Sequence, residues 1–346
     1  MKLLNAAMLC LLAAPGYALA QAQPVPAQQA QTTVAQEPVQ TSEGRMLDSV
    51  QVVGGNQPGP RMWKIKKGEH VLHVLATVTP LPSKMAWASA QVEGTIARSQ
   101  EYIRAPYMGI SANVGWISGM RLLPAYLRAK KNPGGATLQQ VLSPALYARW
   151  NAAKARYLPN DKGVEKQRPM LAAEALYNAA LKRSGLGGKP MVMPVIDAAV
   201  KRHKLKVVNT SVQVKVDDPK QALQELQAGR FDDAKCLSET LDNIDQKLPD
   251  VVRQANAWAT GDVASLRTRP TQKAPGCFEA VLESDFAKKR GIRDVPERMR
   301  SNWVKAAEDA LSRNTSTFAV LPLEFVAGRD NYLDTMRAKG YEVIAP

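Results

Sequence analysis

Three histidines are the chain's entire stock of imidazole, and their placement decides what they can do. His70 and His73 stand three apart in His70-Val71-Leu72-His73-Val74-Leu75, an apolar, β-branched run that reads as a strand. Successive strand side chains point to opposite faces, so two residues three apart cannot hold one metal ion between them. His203 lies in Lys201-Arg202-His203-Lys204, where neighbouring positive charge disfavours a cation. No Gly-x-Ser-x-Gly elbow, Walker loop or His-Glu-x-x-His helix is present to supply a nucleophile, a phosphate cradle or a zinc pair. No metal site and no cofactor are expected.

The cysteines depend on where the chain goes. Lys2, the apolar stretch Leu3 to Leu19 and the small-residue site Ala18-Leu19-Ala20 before Gln21 form a secretory signal, residues 1–20, with cleavage expected after Ala20. The stretch is shorter than the ~20 apolar residues of a membrane span, so no transmembrane segment is expected after cleavage and the mature chain is periplasmic or secreted. Cys10 leaves with the signal; the residues before it, Ala7-Met8-Leu9, lack the small residue of a lipidation site. Cys236 and Cys277 remain, and an even number in an oxidising compartment favours a disulfide over two buried thiols. Neither has a Cys-x-x-Cys partner for zinc or dithiol chemistry.

The positioning elements follow from periodicity and punctuation. Residues 21–48 form a flexible Gln/Ala/Pro-rich leader, and 49–346 a single domain. Ser49 to Val53 is a candidate edge strand. Met62 to Lys66, a turn at Lys67-Gly68-Glu69 and His70 to Val78 read as a hairpin running into a buried strand that ends at Pro80. Thr137-Leu138-Gln139-Gln140 has capping-box spacing, and Ser143-Pro144 opens the helix that carries Leu146, Tyr147 and Trp150. Another helix runs from Pro169 to Gly185. Leu237, Leu241, Ile244, Leu248, Val251, Ala255 and Trp258 alternate spacings of four and three, a buried helical stripe that Pro249 kinks or divides and Gly261 ends. A helix from about Pro296, a strand at Thr317 to Leu321, a helix from Asn331 to Lys339 and a strand at Tyr341 to Ile344 close the chain. The whole is α/β, a central sheet with a helical insertion at about 137–315.

These landmarks in this order resemble the TraB/GumN family, which is related to the Tiki proteins and more distantly to erythromycin-esterase and ChaN-like folds. The resemblance runs from about Met62 to Val343. It rests on Met62-Trp63-Lys64 with its hairpin, Leu138 to Arg149, Arg168-Pro169, Pro194-Val195-Ile196-Asp197 and the closing Asp330 to Val343. It implies a metallohydrolase-like site built on two Gly-x-x-His motifs at strand ends, where glycine allows a tight turn and histidine binds metal or moves a proton. Here the first motif reads Ala76-Thr77-Val78-Thr79 and the second Pro322-Leu323-Glu324-Phe325, so Thr79 and Phe325 stand where the family has histidine. Asn209 stands for a family glutamate in Val207-Val208-Asn209-Thr210, and a further family acid falls near Ala105.

Threonine is a poor metal ligand and phenylalanine none, so the resemblance implies a degenerate site. If chemistry persists, Glu324 and Thr79 at the strand ends are its candidates, with Glu165, Arg168, Glu174 and Asp197 placed to approach them. A carboxylate beside an arginine can do acid/base work, although such pairs are more often structural. The alternative to a binding protein is therefore a metal-dependent or histidine-independent hydrolase of the same fold.

The remaining oddity is charge: 46 basic against 31 acidic residues give +15, or +14 once Lys2 is removed. Basic clusters at Arg61/Lys64/Lys66/Lys67, Arg128/Lys130/Lys131, Lys201/Arg202/Lys204/Lys206 and Lys288/Lys289/Arg290 are dispersed, and an exported protein rarely meets nucleic acid. Anionic envelope polysaccharide, lipid headgroups or an envelope protein are the expected partners; solubility alone is the other account of the charge.

Overall fold

The structure, a computed structural model, describes residues 51–112, 116–228, 232–268, 285–292, 294–328 and 331–346. The signal, the leader, Cys10 and Cys277 lie outside the described residues. In chain order the strands are β1 Gly55–Gln57, β2 Trp63–Lys67, β3 His70–Thr77, β4 Met85–Trp87, β5 Glu101–Ile103, β6 Met108–Ala112, β7 Lys206–Val208, β8 Val212–Val216, β9 Ser316–Pro322 and β10 Glu342–Ile344. The helices, likewise, are α1 Ala90–Ala97, α2 Trp116–Ala129, α3 Leu138–Val141, α4 Pro144–Tyr157, α5 Pro169–Arg183, α6 Val192–Arg202, α7 Pro219–Ala228, α8 Asp233–Thr260, α9 Val263–Thr268, α10 Asp285–Lys289, α11 Val295–Arg313, α12 Leu323–Ala327 and α13 Tyr332–Ala338.

The hairpin seen in the sequence is the entry to a six-stranded sheet of order β10-β2-β3-β9-β5-β7. Gly68 turns it with φ +58°, the positive angle that a tight hairpin loop requires at that position. β10, β2 and β3 pair antiparallel, whereas β3, β9, β5 and β7 run parallel, so four strands end on the same edge. Parallel strands covered on both faces read as continuous apolar runs, and Leu72, Val74, Leu75, Ala76 and Phe318 to Leu321 are fully or almost fully buried. α11 covers β3, β5 and β9 with Trp303, Ala307 and Ala310, while α1 and α6 pack together beside β9.

A second core is helical. Leu138, Trp150, Ala172 and Leu176 of α3 to α5 meet Leu237, Leu241, Ile244, Leu248 and Val251 of α8. The local signals hold at atomic detail: Thr137 and Gln140 form the capping box, and Ser143 accepts the Leu146 N–H. Of the two alternatives at Pro249, α8 is one helix and not two. Pro249 removes one intrahelical donor, yet the helix continues through it as a single element of 28 residues, because its apolar stripe is buried along most of its length. Gly261, with φ +74°, then caps it, and a Cβ there would meet the Gly59 carbonyl oxygen at 2.7 Å. The same helix joins both cores, since Ala257, Trp258 and Ala259 belong to the sheet's core.

The stretch 137–315 is not uniformly helical. It contributes β7 to the main sheet and β8 to a two-stranded parallel sheet with β6, which packs with α11 and buries Val212, Val214, Ala287, Ile292 and Val295. Residues 51–54 form no strand; β1 begins at Gly55 and pairs in parallel with β4.

Candidate functional site at the carboxyl edge of the sheet

Open parallel sheets bind ligands where their strands end, and here the carboxyl edge gathers most of the residues singled out in the sequence. Thr77 pairs with Pro322, Ile103 with Ala319 and with Val208, so the β3, β9, β5 and β7 ends lie side by side. At about 4.8 Å per strand they span about 14 Å. Thr79 follows β3, Glu324 and Phe325 follow β9, Arg104 and Ala105 follow β5, and Asn209 follows β7.

At the first motif the chain is sealed. Ala76 is fully buried, and its carbonyl accepts the Trp258 indole N–H at 2.8 Å. Trp87 lies against that indole, ring centroids 5.8 Å apart. Thr77 Oγ1 donates to the Leu321 carbonyl at 3.3 Å, tying β3 to β9 at their last pair. Thr79 itself is exposed and precedes a cis proline, Pro80.

The second motif position is packed rather than open. α12 buries Leu323 and Val326 against β3 and α9, and Phe325 stacks on the ring of Tyr332 in α13. Tyr332 is buried and meets Trp303 at 5.7 Å. Glu324, on the outer side of α12, reaches solvent, while its partly buried position still pushes its carboxyl above the ordinary value. A carboxyl so shifted can hold or release a proton nearer neutrality than an ordinary glutamate, which is an acid/base feature of this edge.

Beyond β5 the arrangement is an ion pair. Arg104 donates to Asp197 of α6 at 3.1 Å with both groups substantially exposed, and the Arg104 carbonyl accepts from Thr210 Oγ1 at 3.0 Å. Asp197 is thereby at the edge, as expected, but bound to an arginine the sequence reading did not single out. Burial, partly opposed by Arg104, pushes the Tyr102 phenol beside them up to about 12. Asn209 is exposed.

Arg168 is elsewhere, and this corrects its candidacy. Its guanidinium holds Asp233 at 2.8 Å at the first residue of α8, whereas the strand ends meet α8 near Trp258. Twenty-five residues of helix separate these points, about 37 Å at 1.5 Å per residue. Glu165 belongs to the same helical layer, accepting from Trp150 Nε1 at 3.0 Å and from Lys154 at 2.9 Å, and Glu174 is an exposed residue of α5. An open groove of about 410 Å³ in that layer, lined by Ser143, Leu146, Arg149, Lys235 and Ser238, has its arginine committed to Asp242 at 2.7 Å.

His73 is held below its ordinary value by burial and then by the charges of Lys64 and Arg98, and His203 is exposed. Among the described residues no three of His, Cys, Asp and Glu come together as a metal-ligand group. Cys236 is buried in α8; Cys277, its expected partner, lies outside the described residues. No helix of the described residues is long and apolar enough to cross a membrane.

Fold and edge together define a mixed α/β protein whose candidate site lies at the carboxyl ends of four parallel strands. Within that class the chain belongs to the TraB/PrgY/gumN family, whose model matches residues 61–345. No curated protein and no solved structure is matched by the chain.

Proposed function

We propose that this is an exported member of the TraB/PrgY/gumN family, on a fold of the Tiki, erythromycin-esterase and ChaN type, whose histidine-centred site is lost and which acts by binding at the cell envelope. The observation that carries the reading is Phe325. Its ring is stacked on buried Tyr332, so the position that the resemblance gives to an imidazole contributes packing, not a ligand. Thr79 and Asn209 add a hydroxyl and an amide where imidazole and carboxylate would stand. Neither ionises near neutral pH, and neither replaces the proton or metal chemistry of the residue it displaces.

The test is metal content and peptide hydrolysis of the purified mature chain, with and without added zinc, manganese or cobalt. The expected outcome is metal well below one equivalent after dialysis and no metal-stimulated turnover. One retained equivalent together with metal-dependent hydrolysis would sink the reading.

Glu324 supports a second reading, a histidine-independent hydrolase, because its raised carboxyl stands two residues beyond the end of β9. Arg168 has no part in it. Its signature would be turnover without metal that disappears in Glu324→Gln and persists in Arg168→Ala.

A further inference from the structure

The face that α2 turns to solvent is its apolar one. α2 packs along α7, and at 100° per residue half-buried Leu122, Ala125 and Ala129 share one side of the helix while exposed Met120, Leu123, Pro124 and Leu127 fall on the other. Met120 is 57% exposed, Leu123 and Leu127 50% and Tyr126 48%. An ordinary surface helix does the reverse and keeps its polar side outward.

At the C-terminal end of α2 this patch is bordered by cations. Arg128 and Lys131 are exposed, and Lys130 Nζ sits 5.5 Å from the Tyr126 ring centroid. From Tyr102 to Asn160 the chain contains no Asp or Glu at all. On α7 beneath, Glu225 is occupied by Arg290 at 2.8 Å. An exposed apolar stripe with cations along its border and no carboxylate in its own segment matches one surface in chemistry: a bilayer, with acyl chains below and anionic headgroups above.

We propose that α2 docks this protein on an anionic lipid surface, with Met120, Leu123, Tyr126 and Leu127 entering the boundary between headgroups and acyl chains and Arg128, Lys130 and Lys131 lying on the phosphates. A second copy fits less well. Its few exposed side chains are a small part of the ~20–30 residues a side, ~800 Å² per partner, of a stable protein interface. The proposal rests on the envelope reading only for where such a surface is met. Retained metal-dependent hydrolysis would overturn that reading and leave vesicle binding untouched, and absent vesicle binding would leave the strand-end site untouched.

The experiment is co-flotation of the mature chain with phosphatidylcholine vesicles, with and without 30% phosphatidylglycerol, in low and high salt. Binding is expected only with the anionic lipid, falling steeply as salt rises. Leu123→Gln/Leu127→Gln and, separately, Arg128→Gln/Lys131→Gln should each weaken it at least tenfold while circular dichroism and melting stay unchanged, since all four side chains are exposed. A fluorophore on Leu123→Cys should shift to the blue on anionic vesicles, a readout that holds even if a double variant folds poorly. No flotation at low salt overturns the proposal, as does flotation that both double variants leave intact. So does retention on anionic polysaccharide in place of vesicles, or a wild-type dimer that Leu123→Gln/Leu127→Gln dissociates.

Discussion

Phe325 lies face to face on Tyr332, ring centroids 4.6 Å apart and planes 7° from parallel. Tyr332 in turn meets Trp303, and the Arg300 guanidinium stands 5.9 Å from the Tyr332 ring. The chain of rings ties α12, which begins directly at the end of β9, to α13 and to the helix that covers the sheet. The aromatic contacts are thus a structural tie at the carboxyl edge of the sheet.

Phe325→Ala should therefore lower stability by about 1.5–3 kcal/mol, less than a fully buried phenylalanine because the ring is half-exposed. Phe325→His keeps a flat ring and should lose about 1 kcal/mol or less, without gaining a retained metal ion, since Thr79 supplies no second imidazole. Urea unfolding of the three proteins, with metal analysis of the histidine variant, checks both statements. Tight metal in Phe325→His alone would show that the edge still holds a ligand set.

The opposite edge of the sheet carries a pH-dependent contribution. Glu101, at the start of β5 with 4% of its side chain exposed, meets Lys206 at 2.9 Å, Arg313 at 3.3 Å and Asn314 at 2.9 Å. Burial works to raise its carboxyl, but the hydrogen bonds from Lys206 and Asn314 and the charges of Lys206 and Arg313 outweigh it and hold it below the ordinary 4.5. A folded value below the unfolded one gives stability that is present above pH ~4.5 and lost as pH falls through the lowered value. Glu101→Gln should cost about 1–3 kcal/mol at pH 7, its cations being free to rehydrate, and should flatten the acid limb of stability against pH. Denaturant unfolding from pH 3 to 7 distinguishes the two proteins; parallel curves would remove Glu101 from the acid transition.

Much of the fold was legible because local chemistry and tertiary packing agree. The Thr137–Gln140 box, the Ser143 cap and the stripe from Leu237 to Trp258 each state a helix that the packing then uses. β1, β4, β5 and β7 were not legible as strands, since three residues carry no period and exist as strands only through their partners: Tyr102 is extended because Phe318 and Val207 flank it. Pro249 left two readings open, one kinked helix or two abutting ones, and the buried stripe around it is continuous with a single helix. At the site, Thr79, Glu324 and Asp197, which the family resemblance set at or near strand ends, were found at the carboxyl edge. Arg168 was not, because a partner 65 residues away decides where a guanidinium goes. The α2 patch was missed for a different reason: Met120, Leu123 and Leu127 have the spacing of a buried stripe, and spacing does not say which way a stripe faces.

For the cysteines the expectation is one intramolecular bond between Cys236 and Cys277. The intact mass should rise by about 2 Da on reduction, and a peptide pair joining the two residues should vanish with it. Cys236 is buried beside Leu237 in the helical core, so reduction should loosen the packing of α8 on α5 and lower the unfolding midpoint. Two alkylatable thiols in the native protein would be the contrary result.

Arg168 offers the cleanest separation of a structural role from a catalytic one. Arg168 and Asp233 are 10% and 13% exposed and share a bond of 2.8 Å at the junction of α5 and α8. Burial raises the Asp233 carboxyl above 3.8 even though Arg168 pulls the other way. A carboxyl whose folded value is raised is penalised when ionised, and the penalty fades as pH falls through that value. Arg168→Ala leaves the carboxylate without its cation and should cost about 3 kcal/mol at pH 7, less at pH 4 where Asp233 can bind a proton. Arg168→Met/Asp233→Leu should recover most of that loss, since neither charge is then left alone in the helical core. Unfolding of the single and double variants at both pH values measures the coupling. A double variant as unstable as Arg168→Ala, or a loss of equal size at both pH values, would mean that the arginine is held for some purpose other than its pair with Asp233.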